Sequence, residues 1–166
     1  FRRLFLGGEE LEVSRKSAER LSPVAAAHRI LSNSFGLIPF GVYRRNGEAR
    51  EPVRNADLDR VLKERPNPQM SPYLCRKVLM SNAFWRGFGA CWNQRDAAGR
   101  LTGRLPLPTE CCSIRYDREA GAYWYDYDVD GVRRSFAAYE LSLLYFETYD
   151  GVRGRGLLDL AREAVA

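Results

Sequence analysis

The stretch SPYLCRKVLMSNAFWRGFGACWNQ occupies residues 71–94 and decides the fold class. It opens with Ser71-Pro72, a helix-capping residue followed by a proline suited to the first turn, which predicts a helix through the residues that follow. After Gly87 the apolar residues recur with a period of two, which predicts a strand over 88–94. Helix and strand therefore follow each other directly in one fold.

Two further helices are predicted upstream. Ser22-Pro23 repeats the pairing of cap and proline, and Gly36 is a plausible stop for the helix that it starts. The apolar face of that helix consists of Val24, Ala27, Leu31 and Phe35, at spacings of three and four. Asn55 is placed to cap a second helix over 56–65.

The rest of the sequence predicts strands, hairpins and one last helix. Residues 37–45 alternate and end at Asn46-Gly47, and Asp130-Gly131 is a second hairpin signal. Further strands are predicted over 111–116, 122–128, 132–137 and 143–147, with a helix over 157–166. Helices and hairpins in blocks predict an α+β fold of three to four helices packed with antiparallel β-hairpins. Residues 1–21 are predicted to be a flexible arm, and 22–166 a single domain.

Composition narrows the class of protein. The chain has 166 residues, 45% of them hydrophobic, a net charge of +5 and four cysteines. This length suits one domain with a real core. No apolar run approaches the roughly 20 residues that a membrane-spanning helix needs, so no membrane association is predicted. Two cysteines are adjacent and none form a C-x-x-C pair, which indicates reduced thiols in a cytosolic setting. The chain begins at Phe1 without a visible export signal.

Candidate catalytic and metal sites are weak, so no catalytic residue, metal or cofactor is predicted. Residues 126–131 carry the oxygens and glycine that begin a calcium loop, but Ala137 stands where a bidentate Glu is needed. Cys111 and Cys112 would face opposite sides of a strand and cannot chelate one ion. His28 is the only histidine and is predicted to be a packed or surface side chain, which leaves no base for a nucleophile.

Anion binding is the remaining chemical possibility. Residues 151–156, GVRGRG, precede a helix, and glycines with two arginines there are compatible with phosphate binding or with an ordinary flexible helix entry. The possible DNA or subunit contacts are Arg44, Arg45, Arg133, Arg134, Arg153 and Arg155. Tyr123, Tyr125 and Tyr127 alternate with Trp124 and favour a covered sheet face over base stacking.

Five motifs in order resemble the portal protein family of tailed bacteriophages. They are the start FRRLF, the helix from Val24 with the strand to Arg45, LKERPNPQMSP at 62–72, LPLP at 105–108, and GVRG with LAREA at 151–154 and 160–164. The family often has Ser-Pro where this chain has Gly156-Leu157. The match runs across nearly the whole chain.

The resemblance implies a structural subunit and no enzyme. It implies a homo-oligomeric ring, commonly of twelve subunits, at one vertex of the capsid, through which double-stranded DNA passes during packaging and ejection. The terminase large subunit would dock on the ring, and capsid and head-completion proteins would be further partners. The protein would reside in the virion after assembly in the bacterial host cytoplasm. Residues 22–166 would form the wing-like part, truncated before the stem and clip.

Two other hypotheses stay open. The first is a small basic DNA-binding module that uses the loop 151–156 and the arginine pairs, and it predicts binding with a steep salt dependence. The second is an enzyme, which the shortage of a base, a metal cluster and a phosphate loop disfavours.

Overall fold

The structure, a computed structural model, describes residues 15–165. Its helices are α1 (Arg15–Glu19), α2 (Ser22–Leu37), α3 (Ala56–Asp59, continued by a π-helical turn, Arg60–Glu64), α4 (Pro72–Arg86) and α5 (Leu157–Val165). Its strands are β1 (Tyr43–Asn46), β2 (Ala49–Pro52), β3 (Phe88–Arg95), β4 (Leu101–Leu107), β5 (Cys112–Asp117), β6 (Ala122–Val129), β7 (Val132–Ala137) and β8 (Leu141–Tyr145). The α+β prediction is confirmed.

The strands form three antiparallel sheets, ordered β1-β2, β4-β3-β8 and β5-β6-β7. Strand β3 is the centre of its sheet, where Trp92 lies opposite Leu105 on one side and Leu141 on the other. The main core lies between the two three-stranded sheets and contains Phe88, Ala90, Tyr125, Tyr127, Phe136 and Leu141. Alternation puts Tyr125 and Tyr127 on the covered face, as the sequence predicts, but Tyr123, predicted to share that face, is 39% exposed near the strand end.

Helix α4 connects the helical layer to the sheets. Its Ser71 side chain accepts a hydrogen bond from the Leu74 N–H at 3.2 Å, which confirms the predicted cap. Cys75 and Leu79 pack on Cys91 of β3, and Phe84 and Trp85 pack on Leu158 of α5. The helix therefore fixes α5 and the β4-β3-β8 sheet relative to each other.

Helix α2 packs on α4 through small side chains, and this changes its buried face. Ser32 and Gly36 are buried, whereas Ala27 and Leu31, predicted to face inward, are exposed. A Cβ on Gly36 would lie 2.8 Å from the Tyr73 ring, so the glycine permits close packing and does not end the helix. The apolar period is right at Val24 and Phe35, which pack against the core clusters, and wrong at Ala27 and Leu31, because Gly36 makes the close contact with α4. The cap position is also occupied by Leu21 and not by Ser22.

Hairpin turns are confirmed more fully than strand lengths. Asp130 and Gly131 have φ values of 52° and 79°, and Gly47 has 61°, as primed hairpin turns require. The predicted strand over 37–45 is wrong in extent, because only residues from Tyr43 onward pair with β2. Strand β4 was missed, since its glycine and proline have low strand propensity and its pairing with β3 overrides them.

The predicted arm is partly covered by the structure. Residues 15–19 form α1, and Ala18 packs against the cluster of Phe84, Trp85 and Leu158. The Arg15 guanidinium lies 5.7 Å from the centre of the Trp85 ring. The rest of the arm, residues 1–14, lies outside the described residues.

Candidate subunit and nucleic-acid contact surfaces

The six candidate arginines lie on three separate elements. Arg44 and Arg45 are exposed on β1, where the Arg45 Nε donates to the Gly47 carbonyl at 3.1 Å. Every residue of β1 and β2 is exposed, and among the described strands these two pair only with each other. The hairpin formed by residues 43–52 therefore projects from the domain as an arm of two strands.

The second pair, Arg133 and Arg134, is split by the alternation of β7. Arg133 Nε donates to the Asp128 carboxylate at 3.0 Å, with 87% of the Arg133 side chain exposed. The Arg134 guanidinium stacks 3.9 Å from the centre of the Trp92 ring. Since the two side chains have different partners, they do not form a joint clamp for one phosphate.

The third pair lies in the glycine-rich segment 151–156, which packs against the end of α4. A Cβ on Gly154 would lie 2.1 Å from the Gly87 carbonyl oxygen, and one on Gly156 would lie 2.4 Å from the Trp85 carbonyl oxygen. Glycine is needed at both positions so that two backbones can touch. Arg155 Nη1 donates to the Tyr149 hydroxyl at 2.9 Å.

Carboxylates already occupy the N–H groups that a phosphate would use here. The Asp150 side chain accepts from the Val152 and Arg153 N–H groups at 2.8 and 2.7 Å. These backbone hydrogen bonds hold the pKa of Asp150 below its usual value. The Gly156 N–H donates to Asp159 at the start of α5. Two carboxylates at a loop and a helix N-terminus would repel phosphate, so the geometry favours the packing interpretation of this segment.

A buried arginine that sequence reasoning did not single out lies in β4. Arg104 is 7% exposed, and its Nε has no hydrogen-bond partner among the described residues. Its backbone N–H donates to the Pro66 carbonyl at 2.7 Å, and its carbonyl accepts from the buried Asn67 side chain at 2.8 Å. Through these two hydrogen bonds, the Arg-Pro-Asn-Pro segment at 65–68 holds the β4 backbone in place at Arg104.

Arg104 lines a cavity of about 500 Å³ beside β3, β4 and β8. Leucine and phenylalanine side chains form the apolar wall, and Asn93, Arg95 and Ser142 are its other polar residues. The Ser142 hydroxyl donates to the Asn93 Oδ1 at 3.1 Å, which leaves the Asn93 NH₂ group as a donor. The polar lining therefore offers donors and positive charge and no carboxylate.

The thiols next to this arginine respond to its charge. Cys75 and Cys91 lie 3.9 Å apart, Sγ to Sγ, and both are buried. A hydrogen bond from Cys91, with Arg104 and Arg76 nearby, lowers the pKa of Cys75 to about 7. Burial lowers the pKa of Arg76, and Arg104 adds to that effect. This part of the domain has an excess of positive charge.

The described residues contain no group of three or more side chains suited to hold a metal ion. Asp126 and Asp128, part of the possible calcium loop, pair with Arg115 and Arg133. His28 Nε2 lies 2.8 Å from the Ser81 hydroxyl. The pKa of this histidine is lowered, mainly by burial. The packed alternative for His28 is confirmed. Among residues 15–165, no helix has the length and hydrophobicity to cross a membrane.

Large apolar side chains are exposed on several elements of the described chain. On α2 and its ends they are Leu21, Ile30, Leu37 and Ile38, which are 45–71% exposed. Near the β5-β6-β7 sheet and the following turns, Val132, Tyr139 and Tyr149 are 71–82% exposed. Exposed apolar groups of this size are typical of surfaces that bind other proteins.

The chain is similar to a known protein family and to a curated protein. The model of the family described as phage portal protein matches residues 22–166. Protein BeeE of Escherichia coli (strain K12) is 25% identical over 100 residues, which cover 60% of this chain and 63% of that protein. The chain thus spans less than two thirds of this relative.

Solved structures share the fold at low sequence identity. A chain in the neck of an empty gene transfer agent particle, computed with C6 symmetry, is 15% identical with a TM-score of 0.69, covering 96% of this chain and 43% of that one. The HK97-family phage portal protein of Corynebacterium diphtheriae is 18% identical with a TM-score of 0.58, covering 90% and 44%. A neck chain computed with C12 symmetry has a TM-score of 0.64 at 15% identity, covering 90% and 39%.

Proposed function

Since the chain belongs to the phage portal protein family, we propose that it is the wing-like part of a portal subunit, which assembles side by side with identical copies into a closed ring. The observation that carries this proposal is the family match over residues 22–166, almost all of the described chain. Family membership makes the role a structural one.

The surface supports assembly through lateral contacts. In a ring, each subunit contacts its two neighbours head to tail, so it needs two different surfaces that fit each other. The ring closes when the rotation between neighbours adds up to a full turn. The apolar side chains exposed on α2 and at its ends are one candidate surface, and the exposed Val132, Tyr139 and Tyr149 lie on other elements of the subunit. The projecting hairpin 43–52 is a third element that gains stability from a neighbour, because isolated two-stranded hairpins are marginal in water.

Partners and location follow from the same proposal. The ring would contain twelve subunits at a capsid vertex of the virion, after assembly in the host cytoplasm. Double-stranded DNA would pass through its channel, the terminase large subunit would dock on it during packaging, and capsid and head-completion proteins would bind it. Because this chain spans 39–44% of the solved chains, we assign the stem and clip to other residues of the subunit.

Negative-stain electron microscopy of the complete reading frame, purified without other phage proteins, tests the proposal. We expect closed rings with one rotational symmetry and the wing at the periphery. Monomers alone at micromolar concentration, or open filaments without closed rings, would contradict it. A ring-forming control from a related portal gene, purified in the same buffer, establishes that the conditions permit assembly.

A further inference from the structure

The Arg104 cavity has the chemistry of a carboxylate-binding site. Arg104 supplies a buried guanidinium group, and Arg95 supplies an exposed one whose Nη1 donates to the Gly99 carbonyl at 2.9 Å. Asn93 supplies an amide NH₂ that its bond with Ser142 leaves available. Within residues 15–165, no ion pair involves Arg76, Arg95 or Arg104. The buried Arg104 Nε has no hydrogen-bond acceptor and no carboxylate pairs with its guanidinium, which is costly, and an entering carboxylate would lower that cost.

The same chain presents an acidic side chain on a narrow projection. Glu48 is exposed at the tip of the hairpin 43–52, between Gly47 and Ala49, whose small side chains leave the tip slender. The other acid of the hairpin, Glu51, accepts a hydrogen bond from the Asn46 side chain at 3.1 Å. Glu48 has no hydrogen bond or ion pair in the described part of the chain.

We propose that the Arg104 cavity receives the Glu48 carboxylate of a neighbouring copy, so that the hairpin and the cavity form the two halves of a head-to-tail contact. This inference rests on the proposed ring. Charge complementarity identifies the occupant, because the cavity lining has two arginines and no carboxylate, and the hairpin tip offers an unpaired carboxylate. The contact also explains why all eight strand residues of the hairpin are exposed, with no covering element among residues 15–165.

The Arg-Pro-Asn-Pro segment gains a role from this contact. Asn67 is 6% exposed and binds the Arg104 carbonyl with its side chain, while its Oδ1 accepts from the Gln69 N–H. This arrangement fixes the backbone from which the Arg104 side chain extends into the cavity. Asn67 is therefore a positioning residue for the contact and does not touch the incoming carboxylate.

The test uses the complete polypeptide, with cysteines placed at both halves of the contact. The double variant Glu48→Cys with Arg95→Cys should form disulfides between subunits under mild oxidation, which appear as a ladder of covalent multimers on a non-reducing gel. Each single variant, which keeps the native cysteines, is the control and should give no ladder. Rings of the double variant that yield no ladder would overturn the inference.

Variants that change charge test the contact between Glu48 and the Arg104 cavity independently of the disulfides. Glu48→Gln should raise the concentration needed for half-maximal assembly by roughly tenfold or more, because it removes one partner of a desolvated charge pair. Glu119→Gln, which neutralises another exposed acid without an ion pair, should leave assembly unchanged. The exchange Glu48→Arg with Arg95→Glu should restore part of the loss that Glu48→Arg causes alone.

The outcomes separate this inference from the ring proposal. Wild-type polypeptide that forms no rings contradicts the proposed function. Wild-type rings with normal assembly of Glu48→Gln contradict the contact and leave the ring intact. Loss of rings in Arg104→Met but not in Glu48→Gln would also overturn the assignment, because the cavity would then hold another group.

Discussion

Replacing Gly154 with alanine tests whether the glycine-rich segment serves backbone packing. The alanine Cβ would lie 2.1 Å from the Gly87 carbonyl oxygen and 2.9 Å from the Phe88 nitrogen, and contacts below 3.0 Å essentially never occur for a Cβ. These atoms belong to backbone, so no side chain can rotate away. The segment 151–156 must therefore move away from the end of α4 by about 1 Å to restore ordinary C···O separations.

The cost follows from the bonds that flank this contact. The Phe146 N–H donates to the Gly87 carbonyl at 2.8 Å, and the Arg155 N–H donates to the Glu147 carbonyl at 2.7 Å. Weakening both bonds costs about 2 kcal/mol, and overpacking adds about 1–3 kcal/mol. We expect the free energy of unfolding to fall by about 3–5 kcal/mol, which lowers the Tm by roughly 6–20 °C in a chain of this size.

Thermal unfolding followed by circular dichroism measures this change. Gly99→Ala is the matched control, since Gly99 has a φ of +77° and a Cβ there would contact nothing within 4 Å. Its cost should be limited to the backbone penalty of about 1–2 kcal/mol. If Gly154→Ala unfolded like the wild type but bound DNA more weakly, the packing argument would be refuted and the phosphate-loop hypothesis favoured.

Three further outcomes are expected. Arg104→Met should leave the stability of the 166-residue chain unchanged or raise it by about 1 kcal/mol in urea unfolding, because it removes a buried unpaired charge; a loss of 2 kcal/mol or more would assign Arg104 a structural role. Fluorescence anisotropy should detect no binding of duplex DNA at moderate salt, since carboxylates occupy the loop 151–156; submicromolar affinity with a steep salt slope would support the DNA-binding module instead. Iodoacetamide at pH 8 should spare Cys75, because this thiol is only 4% exposed although its pKa is about 7. It should react slowly with Cys112, because burial raises the pKa of that thiol to about 11. Mass spectrometry that shows Cys75 alkylated first would contradict its burial.

Local signals predicted the elements whose stability is itself local. The Ser71 cap, the Asn55 cap and the Asp130-Gly131 turn are each confirmed, because a side-chain bond or a positive φ within a few residues sets them. The buried face of α2 was predicted wrongly at Ala27 and Leu31, since its contact with α4 depends on Gly36 and its distant partner Tyr73. Strand β4 also depends on a distant partner, β3, for its conformation.

The candidate contact residues show the same limit. The arginine pairs stand out in the sequence because their members are adjacent, but the strand period separates Arg133 from Arg134. Arg104 was not singled out, because neither its burial nor the lack of a partner for its Nε is visible in sequence. The available signal was indirect: Pro66 and Asn67 belong to the family-like motif at 62–72, and both bond to the Arg104 backbone.

Native mass spectrometry of the complete polypeptide tests the central claim most directly. We expect one dominant species whose mass is a whole-number multiple of the subunit mass, twelve subunits in the proposed ring. That species should dissociate when the lateral surfaces are altered. A single peak at the mass of one subunit, unchanged over a wide range of protein concentration, would contradict the account.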